Sequence, residues 1–217
     1  MTSPLRSGGW FPAAGVLTTT ATALADRTVL VVGASGILAP LVHALVSKRS
    51  HVVAVSRPPG VPPAPGRGDG APLGRDDRAP THGSPRVIGA DTTTLAGAWA
   101  VANCGPLDYA VFYGPALTAQ TLAVLTNAVR YRAVLVLTSE AAAPTGPGDE
   151  GAGLAPLAAR YRARPQDAVV LLGWKSVDRG RSRWHTPGEV SAAALEALEG
   201  YGDVLLGRVR PWEQRPR

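Results

Sequence analysis

The sequence has almost none of the residues that build disulfide frameworks or thiolate metal centres. Cys104 is the single cysteine among 217 residues, so an intramolecular disulfide and a multi-cysteine metal site are both excluded. The four histidines are scattered along the chain without the spacing that metal ligands show. We therefore expect no metal site.

Long apolar runs are also missing. A membrane-spanning helix needs about 20 consecutive apolar residues, and no stretch of this sequence reaches that length, so we expect no membrane partner. Residues 1–25 superficially fit a secretory signal, with an early Arg6 and small residues near position 25. However, Pro12 and the threonines at 18–20 interrupt the apolar middle. We therefore interpret residues 1–26 as an N-terminal extension.

Lysine is scarce: there are two lysines against 20 arginines, and the formal net charge is +6. This composition resembles that of proteins from GC-rich bacteria. Seven positive residues cluster late in the chain: Arg160, Arg162, Arg164, Lys175, Arg179, Arg181 and Arg183. No interleaved aromatic residues or nucleic-acid motif accompany them. We therefore expect an anionic cofactor or substrate, or a solvated basic face, and no nucleic acid.

Apolar strands alternate with helical segments along most of the chain, and hydrophobic residues make up 45% of it, enough for one sizeable core. Strands are predicted at 29–32, 51–56, 86–90, 109–113, 133–137, 168–172 and 204–206. Helices are predicted at 94–103 and 118–130, and another begins after Thr186, where Pro187 and Glu189 complete a capping box.

This alternation predicts an α/β fold with a single doubly wound Rossmann-type domain at residues 27–217. We expect about seven mostly parallel strands with helices on both faces. Residues 58–85 are rich in proline and glycine and are predicted to form a long flexible loop.

The most specific local pattern lies where the first strand ends. The apolar run stops at Gly33, Gly36 and Ala39 follow at three-residue intervals, and a helical segment comes next. A strand, a glycine-rich turn and a helix N-terminus leave backbone N–H groups available to an anion, which in βαβ units is usually a dinucleotide pyrophosphate. The predicted cofactor-binding residues of this turn are Gly33, Ser35, Gly36 and Ile37. A tight turn of small residues without a ligand is the alternative.

The segment resembles the first βα turn of the short-chain dehydrogenase/reductase superfamily, in its G-x-x-G-x-x-G/A form, and the resemblance covers about residues 27–210. Residues 172–174, 183–190 and 208–212 also look like a small bacterial branch of divergent members. The resemblance implies an NAD(P)-binding Rossmann fold and an oxidoreductase, which we expect to act in bacterial secondary metabolism. It also implies a cytoplasmic location, because the cofactor is found there.

The end of the second strand indicates which dinucleotide is bound. An NAD site usually carries a carboxylate there for the ribose 2′-hydroxyl, but this chain has Ser56 followed by Arg57. A guanidinium suits a 2′-phosphate, so we predict NADP(H) as the cofactor, with a solvated surface arginine as the alternative. The resemblance places Asp91 beside the adenine. Gly114 and Pro115, at the end of the next strand, are further cofactor-binding candidates.

The catalytic pair of the superfamily is missing from the sequence. Members use a serine after the fifth strand to orient the substrate carbonyl and a Tyr-x-x-x-Lys pair on the next helix to supply the proton. Ser139 matches the serine. The only nearby tyrosine, Tyr161, is followed four positions later by Pro165 and lies 22 residues beyond Ser139, toward the far end of its helix. We reject Tyr161 as the catalytic tyrosine.

Three other residues near strand ends are candidates for the general acid: Glu140, Tyr113 and Lys175. Glu140 is of interest because a carboxyl beside a closed apolar pocket has a raised pKa. The alternatives are that Glu140 is an ordinary loop carboxylate, that Tyr113 is a packed aromatic ring, and that Lys175 binds a phosphate or is solvated. Trp174 is expected to wall the nicotinamide pocket or to plug the sheet edge, and His185 is expected to be exposed.

Three functions remain open. The first is an NADPH-dependent reductase of a small carbonyl, imine or enone, the second a non-redox cyclase, isomerase or dehydratase, and the third a dinucleotide-sensing regulatory protein without turnover. The glycine pattern and Arg57 favour the reductase and the regulatory protein, because both bind a dinucleotide. The missing Tyr-x-x-x-Lys pair favours the non-redox enzyme and the regulatory protein. The reductase is the function we predict. The apolar last helix and strand are a candidate homodimer face.

Overall fold

A computed structural model describes residues 24–56, 84–177 and 181–216. Most of the predicted N-terminal extension, Arg57 and nearly all of the predicted 58–85 loop lie outside these residues. In chain order the elements are β1 (Thr28–Val32), α1 (Ala39–Ser47), β2 (His51–Ser56), β3 (Arg86–Gly89), α2 (Leu95–Ala102), β4 (Leu107–Tyr113), α3 (Ala119–Asn127), β5 (Val129–Leu137), α4 (Leu154–Tyr161), β6 (Ala168–Leu172), β7 (Trp174–Ser176), β8 (Ser182–Trp184), α5 (Pro187–Glu196) and β9 (Val204–Leu206).

Seven of the strands form one sheet in the order β3-β2-β1-β4-β5-β6-β9, and every neighbouring pair is parallel. Alternate residues of β1 point to opposite faces, so Val29 and Val31 pack in one core while Leu30 and Val32 pack in the other. Helices α1 and α5 cover the first core, and α2, α3 and α4 cover the second. The predicted doubly wound α/β fold is confirmed.

Three aspartates satisfy backbone N–H groups at the amino ends of neighbouring strands. The carboxylate of Asp108 accepts from Thr28 N at 3.0 Å, that of Asp167 from Ala133 N at 2.9 Å, and that of Asp203 from Val169 N at 3.0 Å. These N–H groups lie at or next to the first rungs of their ladders, where the neighbouring strand offers few carbonyls. The aspartates therefore secure the amino edge of the sheet.

Two parts of the prediction differ from the structure. Helix α3 ends at Asn127 rather than 130, and β5 begins at Val129, four residues before the predicted strand, because Val129 pairs with Leu107 of β4. Strands β7 and β8 form a separate antiparallel hairpin that was not predicted, since three-residue strands are too short for periodicity to reveal. No helix among residues 24–56, 84–177 and 181–216 is long and apolar enough to cross a membrane.

Replacing Asp167 by Ala should lower the free energy of unfolding by about 2 kcal/mol, because it leaves the buried Ala133 N–H without an acceptor and the part-buried Arg164 guanidinium without its ion-pair partner. Besides Ala133 N, the buried Asp167 carboxylate accepts from the Arg164 backbone N–H and guanidinium, with Nη2 at 2.8 Å. Urea unfolding of Asp167→Ala and of the exposed control Glu196→Ala measures the difference. Equal losses in the two variants would show that Asp167 does not secure this edge.

Candidate functional site

The glycine turn connects β1 to α1 where the order of the sheet strands reverses, between β1 and β4. In open parallel sheets, ligands bind at this point beyond the carboxyl ends of the strands. The N–H groups of Gly33 and Ala34 donate to Val55 O, both at 3.3 Å, and Gly36 N donates to Gly33 O at 3.3 Å. These bonds hold the turn against β2 and leave its other side facing outward.

Three backbone N–H groups of the turn, those of Ser35, Ile37 and Leu38, donate no hydrogen bond within the described parts of the chain. Helix α1 begins directly afterwards, without a side-chain cap at its start and without an acidic residue in its first turn. Pro40 lies in that turn and has no N–H to satisfy. Unpaired donors and the positive end of the helix dipole thus coincide, which is the physical requirement for binding an anion.

The two glycines of the turn serve different purposes. Gly33 has φ = +94°, and a Cβ there would lie 2.9 Å from the Cβ of Tyr113, so the backbone and the neighbouring strand both require glycine. At Gly36 an added Cβ would meet only Gly33 O, at 4.0 Å. The described part of the protein therefore does not require a glycine at position 36, and the space above it is open to a group from outside.

Of the predicted catalytic residues, Tyr113 lies against this turn, and Ser139 lies beyond the carboxyl end of β5, the strand next to β4. Tyr113, at the end of β4, packs its Cβ and ring against Gly33. Tyr113 is paired in register with Val136 of β5, and Ser139 comes three residues after Val136, just beyond the end of that strand. Ser139 as a residue is 3% exposed, and its hydroxyl makes no hydrogen bond among the residues described.

Other predicted residues shape the loops at this edge. Gly114 and Pro115 form a 3-10 turn with Ala116, whose carbonyl accepts from Thr92 Oγ1 at 2.9 Å. Asp91 Oδ1 accepts from Thr93 N at 3.0 Å and from Thr93 Oγ1 at 2.6 Å, so the carboxylate organises the start of α2. The cofactor roles of these residues stay predictions.

The environment expected for Glu140 is not found. The residue lies in the 3-10 turn after β5, where it is exposed rather than beside a closed apolar pocket. Exposure removes the desolvation on which its proposed role as an acid depended.

Lys175 lies on the β7–β8 hairpin, 52% exposed, with Nζ 3.2 Å from Glu189 Oε1 of α5. Arg183 on the opposite strand binds both oxygens of the same carboxylate, at 2.9 and 2.8 Å. The Arg183 guanidinium, followed by the Thr186 N–H and Lys175, holds the pKa of Glu189 far below its usual range. Lys175 is thus one partner of an exposed ion pair with Glu189, and its role as a phosphate ligand stays a prediction.

The predicted basic cluster is divided between the two edges of the sheet. Arg162 pairs with Asp203 and Arg164 with Asp167 at the amino edge, whereas Lys175 and Arg183 lie on the hairpin that follows β6. Arg179 lies outside the described residues. The cluster therefore does not form one basic face.

No family model and no curated protein matches the sequence. Solved structures do match the fold. The chain is similar to an NADH-dependent reductase complexed with NAD, with 14% identity, a TM-score of 0.58, and coverage of 86% of this chain and 97% of that one. A short-chain dehydrogenase/reductase variant from Serratia marcescens gives 15% identity, a TM-score of 0.52 and coverage of 85% and 97%. The chain is also similar to the MalC reductase/Diels-Alderase from Malbranchea aurantiaca, with 12% identity, a TM-score of 0.52, and coverage of 87% of this chain and 98% of that one.

This chain has the short-chain dehydrogenase/reductase fold. Similarity at these identities shows the fold alone, so the chemistry must be argued from the residues of the site. In this fold Tyr161 ends α4 and, with Asp167 and Ala168 at the start of β6, lines a cavity near the amino edge. The predicted position of Tyr161, away from the carboxyl ends of the strands, is confirmed.

Trp174 plugs the sheet edge of this fold and does not wall a pocket. It is 1% exposed, forms an antiparallel bridge with Arg208, and packs edge-to-face against Trp184 and Trp212 at ring distances of 6.3 and 5.9 Å. Of the two roles that the sequence allowed for Trp174, packing at the sheet edge is the one found.

The prediction that His185 is exposed is wrong. Its side chain is 6% exposed, and neither ring nitrogen has a hydrogen-bond partner among residues 24–56, 84–177 and 181–216. The ring lies against Gly207, where an added Cβ would collide with Nε2, and its Nδ1 is 3.5 Å from Glu189 Oε2. The His185 ring is buried because α5 packs against β9 and the hairpin. No local pattern in the sequence predicts this burial.

A cavity of about 160 Å³ lies at the opposite, amino edge of this fold, lined by the first residues of β1 to β4 and by Cys104. Burial raises the pKa of the Cys104 thiol, although the nearby Arg86 opposes the shift. The cavity is separated from the glycine turn by the length of the strands and forms no part of the candidate site.

Proposed function

We propose that this protein binds a nicotinamide dinucleotide at the glycine turn and acts as an oxidoreductase on a small carbonyl, imine or enone. The observation that carries the proposal is the pair of unpaired, solvent-accessible N–H groups at Ser35 and Ile37 beside the uncapped start of α1. These donors suit the oxygens of a pyrophosphate, and the open space above Gly36 admits its close approach. That a structure of similar fold holds NAD supports the same ligand class.

We further propose NADP(H) as the preferred dinucleotide and the cytoplasm as the location. Val32 pairs with Val55, so Ser56 at the end of β2 lies beside the glycine turn, and Arg57 is the next residue in the sequence. A guanidinium there suits a 2′-phosphate, whereas a carboxylate would suit the free 2′-hydroxyl of NAD. This preference is based on the sequence, because Arg57 lies outside the described residues.

The residues at the strand ends define the remaining chemistry of the proposal. The dinucleotide, when bound, supplies or accepts a hydride. The Ser139 hydroxyl makes no hydrogen bond among the described residues, so it is available to donate to the oxygen or nitrogen that becomes more basic in the substrate. Tyr113 is the proton donor we favour, because it lies beside Gly33 while Glu140 is exposed and Lys175 is paired with Glu189.

A non-redox reaction is the second candidate function, supported by the missing Tyr-x-x-x-Lys pair and by the similarity of the fold to a reductase/Diels-Alderase. In that case Tyr113 or Glu140 acts as an acid or base and no hydride moves. Dinucleotide binding without turnover of any substrate would instead favour a regulatory protein.

Replacing Gly36 by Ala should weaken NADPH binding by about tenfold or more, a loss of about 1.4 kcal/mol, because the added methyl occupies the space of the pyrophosphate. Its thermal midpoint should stay unchanged, since nothing described lies within 4 Å of the new Cβ except Gly33 O. Gly33→Ala should instead lower stability by about 1–3 kcal/mol. Titration of nicotinamide fluorescence and thermal melts measure the two effects.

Wild-type affinity in Gly36→Ala would place the dinucleotide elsewhere. Absence of binding by the wild type at millimolar NADPH and NADH would remove the proposed function altogether.

Replacing Arg57 by Ala should weaken NADPH binding by about tenfold while leaving NADH binding unchanged, because only NADPH carries the 2′-phosphate. The matched control is Arg130→Ala, which removes an exposed arginine at the amino edge. Calorimetric titrations with both dinucleotides provide the comparison. Equal losses for NADPH and NADH would contradict the assignment of the 2′-phosphate to Arg57.

Replacing Ser139 by Ala should reduce kcat/KM by about 100-fold, the usual effect of removing a donor to developing charge, without changing NADPH affinity. Activity is measured with the ketone, imine or enone that a substrate panel identifies. Ser47→Ala is the control, because it removes an exposed hydroxyl at the end of α1. Unaltered turnover would exclude Ser139 from the reaction.

A further inference from the structure

The cavity of about 160 Å³ at the amino edge, here called the amino-edge cavity, lies where neighbouring strands begin at different levels. Arg86, the first residue of β3, pairs with Val53, so the first two residues of β2 have no partner on β3. Helix α2 ends at Ala102, and the chain enters β4 only at Leu107. The uneven strand starts and the loop after α2 therefore enclose a space that neither of them fills.

The walls of the amino-edge cavity are mostly apolar. Val52, Val53 and Leu107 are buried and line it. Gly105 lines it from the loop without a side chain, and an added Cβ there would meet no described atom within 4 Å. Apolar cavities of roughly 150 Å³ are large enough to bind a benzene ring. The amino-edge cavity therefore has the size and the walls that suit one small apolar group.

One side chain with a permanent charge, that of Arg86, lines this apolar space. It is half-buried, and its Nη1 donates to Cys104 O at 2.9 Å, which fixes the position of the guanidinium. Within the described parts of the chain it forms no ion pair and makes no other hydrogen bond. Asp108, at the same edge, accepts from Thr28 N and does not line the cavity. The remaining donors of Arg86 therefore suit a carboxylate from outside the chain.

We propose that the amino-edge cavity binds a small carboxylic acid whose apolar body is about the size of one benzene ring. The carboxylate binds the Arg86 guanidinium, and the apolar body packs against Val53 and Leu107. Strand β1, with five residues and a length of about 16 Å, separates this site from the glycine turn. A ligand can therefore occupy each site at the same time, and the proposal does not depend on dinucleotide binding.

The single cysteine of the chain provides a reporter, because Cys104 lines the cavity and is half-buried. Benzoate is the probe, and iodoacetamide is the alkylating reagent. Saturating benzoate should slow alkylation of Cys104 by about fivefold or more, because the occupied cavity excludes the reagent. Benzamide has the same shape without the charge, and acetate has the charge without the ring. At the same concentration, each should slow alkylation by less than about twofold.

Methyl NMR signals provide a second readout that does not depend on the reactivity of the thiol. The signals of Val53 and Leu107 should shift in a saturable way with benzoate, since both side chains line the cavity. The signals of Val31 and Leu171, which are fully buried in the middle of the sheet and do not line the cavity, should stay unchanged.

Replacing Arg86 by Gln should weaken benzoate binding by about fivefold, to the level of benzamide, because it removes the positive charge. The matched control is Arg130→Gln, which removes an exposed arginine of the amino edge that does not line the cavity. Burial raises the pKa of the Cys104 thiol and Arg86 opposes this shift, so the substitution by itself slows alkylation. Rates with and without benzoate are therefore compared within each variant.

The site is overturned if benzoate neither protects Cys104 nor shifts the signals of Val53 and Leu107. Equal effects of benzoate and benzamide on the wild type would also overturn it, because the charge of Arg86 would then play no part. The same holds for undiminished benzoate binding by Arg86→Gln. If that variant does not fold, the comparison of benzoate with benzamide on the wild type decides alone. Binding of NADPH, or its absence, bears only on the proposed function.

Discussion

The burial of a parallel sheet on both faces is the constraint on which the rest of the structure depends. In β1, Val29 to Val32 are shielded from solvent, and the strand is paired with β2 on one side and β4 on the other. A strand in this position can leave polar groups unpaired only at its ends. The turn after Gly33 is such an end, and it lies where the strand order reverses. The candidate site is therefore a consequence of how the sheet is buried.

The two edges of the sheet treat their polar groups in opposite ways. At the amino edge, Asp108, Asp167 and Asp203 accept from strand N–H groups, which stabilises the fold. At the carboxyl edge, the donors of Ser35 and Ile37 have no partner within the described residues. Hydrogen bonds at the amino edge thus stabilise the folded state, while the carboxyl edge keeps donors available for a ligand. The division also explains why the arginines of the late basic cluster do not act together, since the aspartates of the amino edge bind two of them.

Local patterns predicted much of this protein, and long-range contacts explain most of the differences. The apolar runs at 51–56, 168–172 and 204–206 are strands because a sheet buried on both faces needs continuous apolar residues. The capping box at Thr186 correctly marks the start of α5, because its bonds are local. The end of α3 was misjudged because pairing of Val129 with Leu107 extends β5 backwards. The paired state of Lys175 was missed because its partner, Glu189, comes from another element.

By itself the sequence determined the sheet, the position of the glycine turn and the residue types at the strand ends, because each depends on neighbours within a few positions. Only the tertiary structure decided that Gly33 is required by Tyr113 while Gly36 is not, that Glu140 is exposed, and that His185 is buried against Gly207. It also brought Ser191 to Ile37, 154 positions away in the chain. Such contacts form when helices and strands pack together, and the spacing of residues along one element carries no record of what packs against it.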